Sequence, residues 1–230
     1  MKEKSLAIQA GILASAGLIT KIIGFVYRIP MANILGNTGN GIYSVAFGIY
    51  GIVLTLSSYS MPISVSKLVS EKATVGSKED LIKVFRVAML VSVIVGALAA
   101  MGLYFGADGL AGVYNKTGLE MPLKVLAPTT FIVSVLGCFR GYFQGYGNMV
   151  PTALSQIIEQ IINAVVSIIA AVQITVLIIG SNNEAALRAM GGTMGTCAGA
   201  MAALVCVMII YYKNNSGNKI RMSIYYTCLL

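Results

Sequence analysis

The sequence contains no histidine and only eight acidic residues in 230. The missing histidine removes the commonest general acid–base group and the commonest metal ligand. Charged residues of either sign make up 10%, against roughly 25% in an ordinary soluble domain. So little charge cannot keep a soluble surface wet. Cysteine is scarce as well. Cys138, Cys197, Cys206 and Cys228 show no paired spacing, and three of them lie in apolar runs where a thiol acts as a small hydrophobe. No disulfide framework, metal site or cofactor is expected. What is abundant is hydrophobic sequence, at 57%. The chain reads as an integral membrane protein.

The formal charge of +8 raises the question of a nucleic-acid partner. The basic residues fall between apolar runs rather than along one amphipathic face, so nucleic-acid binding is not expected. The positive-inside rule explains their placement instead. With the N-terminus inside, eleven basic residues, from Lys2 to Arg221, fall on the cytoplasmic side; only Lys116, Lys124 and Arg188 fall outside. Both termini are therefore expected in the cytoplasm of a multi-pass protein of the cell membrane.

Six apolar runs are long enough to cross a bilayer: residues 6–35, 42–69, 87–105, 122–141, 151–179 and 190–212. The expected fold is all-α, six transmembrane helices forming one lobe over residues 1–212, with a cytoplasmic tail at 213–230. Lys2 and Lys4 followed by Ala14-Ser15-Ala16 resemble a signal peptide, but the apolar run continues past that point and reads as a span. The sequence GNTGNG at 36–41 has tight-turn chemistry. Residues 67–86 read as a cytoplasmic loop with a short amphipathic helix from Lys78, 107–120 as an outer loop and 181–188 as an outer turn. Pro128 is expected to kink the fourth span. Gly191, Gly195 and Gly199, at i, i+4 and i+8, form a close-packing face. Ser44, Gly48, Gly51, Thr55, Ser58 and Pro62 form a second stripe, readable as packing or as a cavity lining.

Polar groups inside the spans point to function, because they are costly there. Lys21 and Arg28 are seven residues apart on one helix face, with Gly17 and Gly24 between and below them. Arg140, Gln144 and Asn148 close the fourth run, and Pro151 reopens a helix carrying Gln156, Glu159, Gln160 and Asn163. Gln156, Glu159, Asn163 and Ser167 share a face. Glu159 lies ~12 Å along the axis from Pro151, deep enough to need a partner, either for packing or for transport.

Three stretches carry a family resemblance: RGYFQGYGNMVPTALSQIIEQ at 140–160, KIIGFVYRIP at 21–30 and LGNTGNGIY at 35–43. Over about residues 5–212 the chain resembles polysaccharide biosynthesis membrane proteins of the stage V sporulation protein B type. Their superfamily also holds the lipid II flippases and the MATE exporters. The resemblance implies two six-helix lobes around a central cavity, and alternating access that carries a sugar–pyrophosphate headgroup across while its lipid tail stays in the bilayer. It implies cavity cations at Lys21 and Arg28, a cytoplasmic mouth at Arg140 and Gln144, and a counter-charge or ion-responsive group at Glu159, near Asn163. Family members are about twice this long. The chain therefore matches the first lobe, with 213–230 a truncation remnant, and would need a second lobe or a homodimer to transport. A non-transporting subunit or fragment is the alternative. A MATE-like cation exporter is disfavoured by two cavity bases against one acid, and an enzyme by the short outer loops.

Overall fold

The computed structural model describes residues 2–75, 78–177 and 183–227, with side chains described for 7–73, 80–177 and 183–213. Part of the expected turn at 181–188, and Cys228, lie outside the described residues. The described chain is all-helical: α1 (Lys2–Ser57), α2 (Ser60–Val75), α3 (Lys78–Val113), α4 (Glu120–Gly145), α5 (Val150–Leu177) and α6 (Glu184–Thr227).

Among the described residues, five continuous apolar helical stretches, where six were expected, are long enough to cross a membrane. The expected spans at 6–35 and 42–69 lie within one of them, Ala7–Ala73, and the expected turn shrinks to one residue. Gly36 alone (φ 64, ψ 178) leaves helical geometry, in a backbone region that is essentially glycine-only. The glycines and asparagines after it stay helical. Their propensity cost, up to about 1 kcal/mol each, is offset by packing: a Cβ at Gly39 would lie 3.2 Å from the Ala185 carbonyl.

The single break is nevertheless sharp. A straight helix would hold Tyr27 and Tyr43 ~24 Å apart, yet their hydroxyls are 3.3 Å apart. The chain doubles back at Gly36. Its arms, 2–35 and 37–57, are ~51 and ~31 Å long, and each can span the ~30 Å hydrocarbon core. Gly36→Ala is expected to cost about 1–3 kcal/mol and to widen the hairpin. Denaturant titration in detergent micelles measures the cost, and spin-label distances between the arms measure the angle.

Other boundaries also shift. The expected loop at 67–86 is helical on both sides, α2 running to Val75 and α3 starting at Lys78. The break comes earlier, at Ser58–Tyr59, because Pro62 has no N–H to carry α1 onward. In place of the outer loop at 107–120, α3 continues to Val113 and the turn occupies 114–119. Asn115 (φ 49) and Gly118 (φ 88) take its left-handed positions. Pro128 is exposed, and α4 continues through it without interruption.

Helix α4 is the hub. In its apolar window 61% of residues are buried, against 11–33% in the other four. Two glycine stripes set the helix spacing around it. Gly191, Gly195 and Gly199 of α6 press on α5 between Glu159 and Ile174, as their spacing predicts. Gly137, Gly141 and Gly145 of α4 take Pro62, Val65 and Val69 of α2 at Cβ distances of 2.6–3.4 Å. Phe85, Phe139, Tyr142 and Tyr211 cluster at one end, with ring centroids 4.8–5.5 Å apart. At the other end Gly41 meets Lys116, and Gly118 meets Ala186. The three connections expected on one side of the membrane therefore gather at one end of the lobe.

Candidate functional site: a basic helix face beside a cavity

In the crook of α1 lies a cavity of about 440 Å³, lined by Arg28, Met31, Ala32, Asn40, Tyr43, Ser44, Phe47 and Gly48. The doubling back at Gly36 creates it, since residues from both arms form the wall. Its polar groups are the Arg28 guanidinium, the Asn40 amide and the Tyr43 and Ser44 hydroxyls. A Cβ at Gly48 or Gly51 would meet nothing within 4 Å, and Ser44 and Thr55 are exposed. The small-residue stripe of α1 thus divides. Ser44 and Gly48 line the cavity, Gly51 and Thr55 stay open, and Ser58 and Pro62 pack against Gly137.

Lys21 lies two turns, ~10.5 Å, from Arg28 on the same face. It is exposed and does not line the cavity. Among the described residues neither Lys21 nor Arg28 has an ion-pair or hydrogen-bond partner. Two unpaired cations on one face of a membrane helix require water or an anion.

Arg140 and Glu159 form a separate constellation. The α4–α5 connection is a glycine-capped helix end: Gly147 (φ 73) donates to the Gln144 carbonyl at 2.9 Å, and Asn148 donates to the Phe143 carbonyl at 3.0 Å. The Asn148 Oδ1 then accepts from Val150 N (3.2 Å), and Pro151 occupies the first turn of α5. This tight reversal sets Arg140 opposite Glu159. Its Nη2 reaches Glu159 Oε2 at 2.7 Å, and its Nε donates to Ser155 Oγ at 2.9 Å. Ser155 donates in turn to the Thr152 carbonyl at 2.8 Å. The two charged side chains are 13% and 26% exposed, so the pair is largely sheltered from solvent.

Asn163 is buried and committed. Its Oδ1 accepts from Thr196 Oγ1 of α6 (3.3 Å) and lies 3.0 Å from Ser167 Oγ, whose single hydrogen is shared with the Gly192 carbonyl at 2.7 Å. Gln144 is half-buried and supplies a backbone carbonyl to the helix cap. Of the six residues singled out from sequence, Arg140 and Glu159 meet directly, Arg28 lines the cavity, and Asn163 ties α5 to α6. Sequence reasoning did not single out Ser155, Asn40, Tyr27 or Tyr43, nor the glycine stripe at 137–145. The stripe was legible by the i, i+4, i+8 rule used for α6. Tyr43 and Asn40 carried no local signal, because only the fold brings them to Arg28 and, for Tyr43, to Tyr27.

The polysaccharide biosynthesis protein family model matches residues 6–226. The chain belongs to this family. Similar proteins of Bacillus subtilis (strain 168) include the lipid II flippase MurJ, 30% identical over 92% of this chain and 40% of its own length. The uncharacterized membrane protein YabM is 30% identical over 91% of this chain and 38% of its own length. Stage V sporulation protein B is 28% identical over 61% of this chain and 27% of its own length. With five membrane-length apolar stretches among its described residues, the chain is a multi-pass membrane protein, and it spans at most about 40% of the length of these relatives. No solved structure matches it.

Proposed function

We propose that the chain is part of a flippase for lipid-linked oligosaccharide or peptidoglycan precursors, working by alternating access without enzymatic chemistry. The observation that carries this reading is the pair of unpartnered cations, Lys21 and Arg28, on one face beside a cavity, the only charged groups among the described side chains of α1. A pyrophosphate presents several anionic oxygens, and cations bind it best where water is scarce. The cavity's amide and hydroxyls suit the neighbouring sugar. Family membership and the similarity to a lipid II flippase support the same substrate class. A cationic drug would be repelled by this face, which argues against an exporter of cations.

The placement of basic residues favours both termini in the cytoplasm. Among the described residues the cavity is walled by α1 alone, so we place its opposite wall on a second lobe or a second copy of the chain. The test is transport of a lipid-linked pyrophosphate into vesicles by the full-size transport unit. Lys21→Ala and Arg28→Ala are each expected to reduce it at least about tenfold, with membrane insertion unchanged. Undiminished transport in both variants would sink the reading.

A further inference from the structure

Lys116 is a third cation without an acceptor at the crook of α1. It lies half-buried in the turn between α3 and α4, and among the described residues no hydrogen bond or ion pair reaches its ammonium. The ammonium rests on α1, over a glycine that leaves room for it: a Cβ at Gly41 would lie 3.3 Å from Lys116 Nζ. Gly41 adjoins Asn40, and it steps by three and four to Ser44 and Gly48, which share its helix face. All three of these neighbours line the cavity. The charge therefore stands at the cavity's edge. The acids at this end of the lobe leave it unpaired. Asp108 pairs with Lys124 at 2.9 Å, Glu184 pairs with Arg188 at 3.2 Å, and Glu120 forms no ion pair with Lys116. Along the first arm of α1, Lys21 is ~22 Å and Arg28 ~12 Å from the break at Gly36; Gly41, under the Lys116 ammonium, is ~7.5 Å from it on the second arm. The unpaired cations thus descend toward the closed end of the hairpin.

We propose that Lys116 is a second phosphate-binding cation of this cavity, sharing the pyrophosphate of a lipid-linked headgroup with Arg28 at the closed end of the hairpin. This rests on the flippase reading. A pyrophosphate has two phosphoryl groups. One guanidinium can grip one of them bidentately, and the other needs a further donor. Lys116 brings three N–H donors on a flexible stem, and it brings them from outside α1. Its lack of a partner in the empty cavity suits this role, because the anion is received without first breaking an ion pair.

Calorimetric titration of inorganic pyrophosphate into the full chain in lipid nanodiscs tests this. Lys116→Gln is expected to weaken binding about tenfold, through loss of one charge-assisted hydrogen bond. Lys116→Arg keeps the charge and should bind within about threefold of the wild type. Lys124→Gln removes the same charge at the same end, but from an exposed ion pair, and should change binding by less than about twofold. Farnesyl pyrophosphate in the same discs is expected to compete for the site, as a lipid-anchored headgroup would. Failure to compete would leave a free anion as the ligand and overturn the lipid-linked assignment. Unchanged binding in Lys116→Gln, equal losses in the Gln and Arg variants, equal losses at Lys116 and Lys124, or no binding by the wild type each overturns the proposal. Binding lost in Arg28→Ala but kept in Lys116→Gln sinks it while the flippase reading stands. That reading falls separately, in the transport assay of Lys21→Ala and Arg28→Ala.

Discussion

Replacing Glu159 by Leu is expected to destabilise the lobe by ~3 kcal/mol, the lower part of the range for breaking a buried ion pair. The reason is what remains. Arg140 would keep its charge at 13% side-chain exposure, with only the Ser155 hydroxyl, 2.9 Å from Nε, to replace a carboxylate at 2.7 Å. The lower figure applies because neither side chain is fully enclosed. The double variant Arg140→Met with Glu159→Leu should recover most of the loss, since apolar side chains of similar volume often substitute for a buried pair at little net cost. Glu159→Gln should fall between, about 1 kcal/mol down, because an amide oxygen still accepts from Nη2. Unfolding titrations in mixed micelles of the wild type, Arg140→Met, Glu159→Leu and the double variant form a double-mutant cycle, with Glu159→Gln measured alongside. A double variant no more stable than Glu159→Leu would mean that Glu159 acts through something other than Arg140.

The second large effect is expected at Gly195. A Cβ there would collide with the Ser167 hydroxyl and with the Asn163 and Ser167 backbone of α5. Two of those atoms are backbone, so no rotamer change relieves the clash and the helices must separate. Separation would stretch the Ser167-to-Gly192 carbonyl bond of 2.7 Å and the Thr196-to-Asn163 bond of 3.3 Å. Gly195→Ala is expected to cost ~3 kcal/mol, at the upper end for overpacking. Gly48→Ala, where a Cβ meets nothing within 4 Å, should be neutral or slightly stabilising through helix propensity. Thermal unfolding of both variants, side by side, checks the contrast. Comparable losses at the two positions would refute the close-contact account of α6.

The membrane class, the helical fold, the approximate spans and the close-packing role of Gly191, Gly195 and Gly199 were all legible in the chain. Each follows from composition or from a repeat within one helix, and local periodicity survives without knowledge of neighbours. The same holds for Lys21 and Arg28 sharing a face, because seven residues make two turns whatever surrounds them. Tertiary structure decided the rest. Residues 36–41 read as a turn, yet packing against α6 keeps all but Gly36 helical, and the resulting hairpin alone makes the cavity that Arg28 enters. The stripe at 44–62 uses small residues that serve packing and cavities equally well; only the position of α4 shows that Pro62 is covered while Gly48 is open. Glu159 needed a partner by its depth, but a lone carboxylate in sequence cannot name one. The capped reversal at Gly147 did so, by folding α5 back until Arg140 stood opposite.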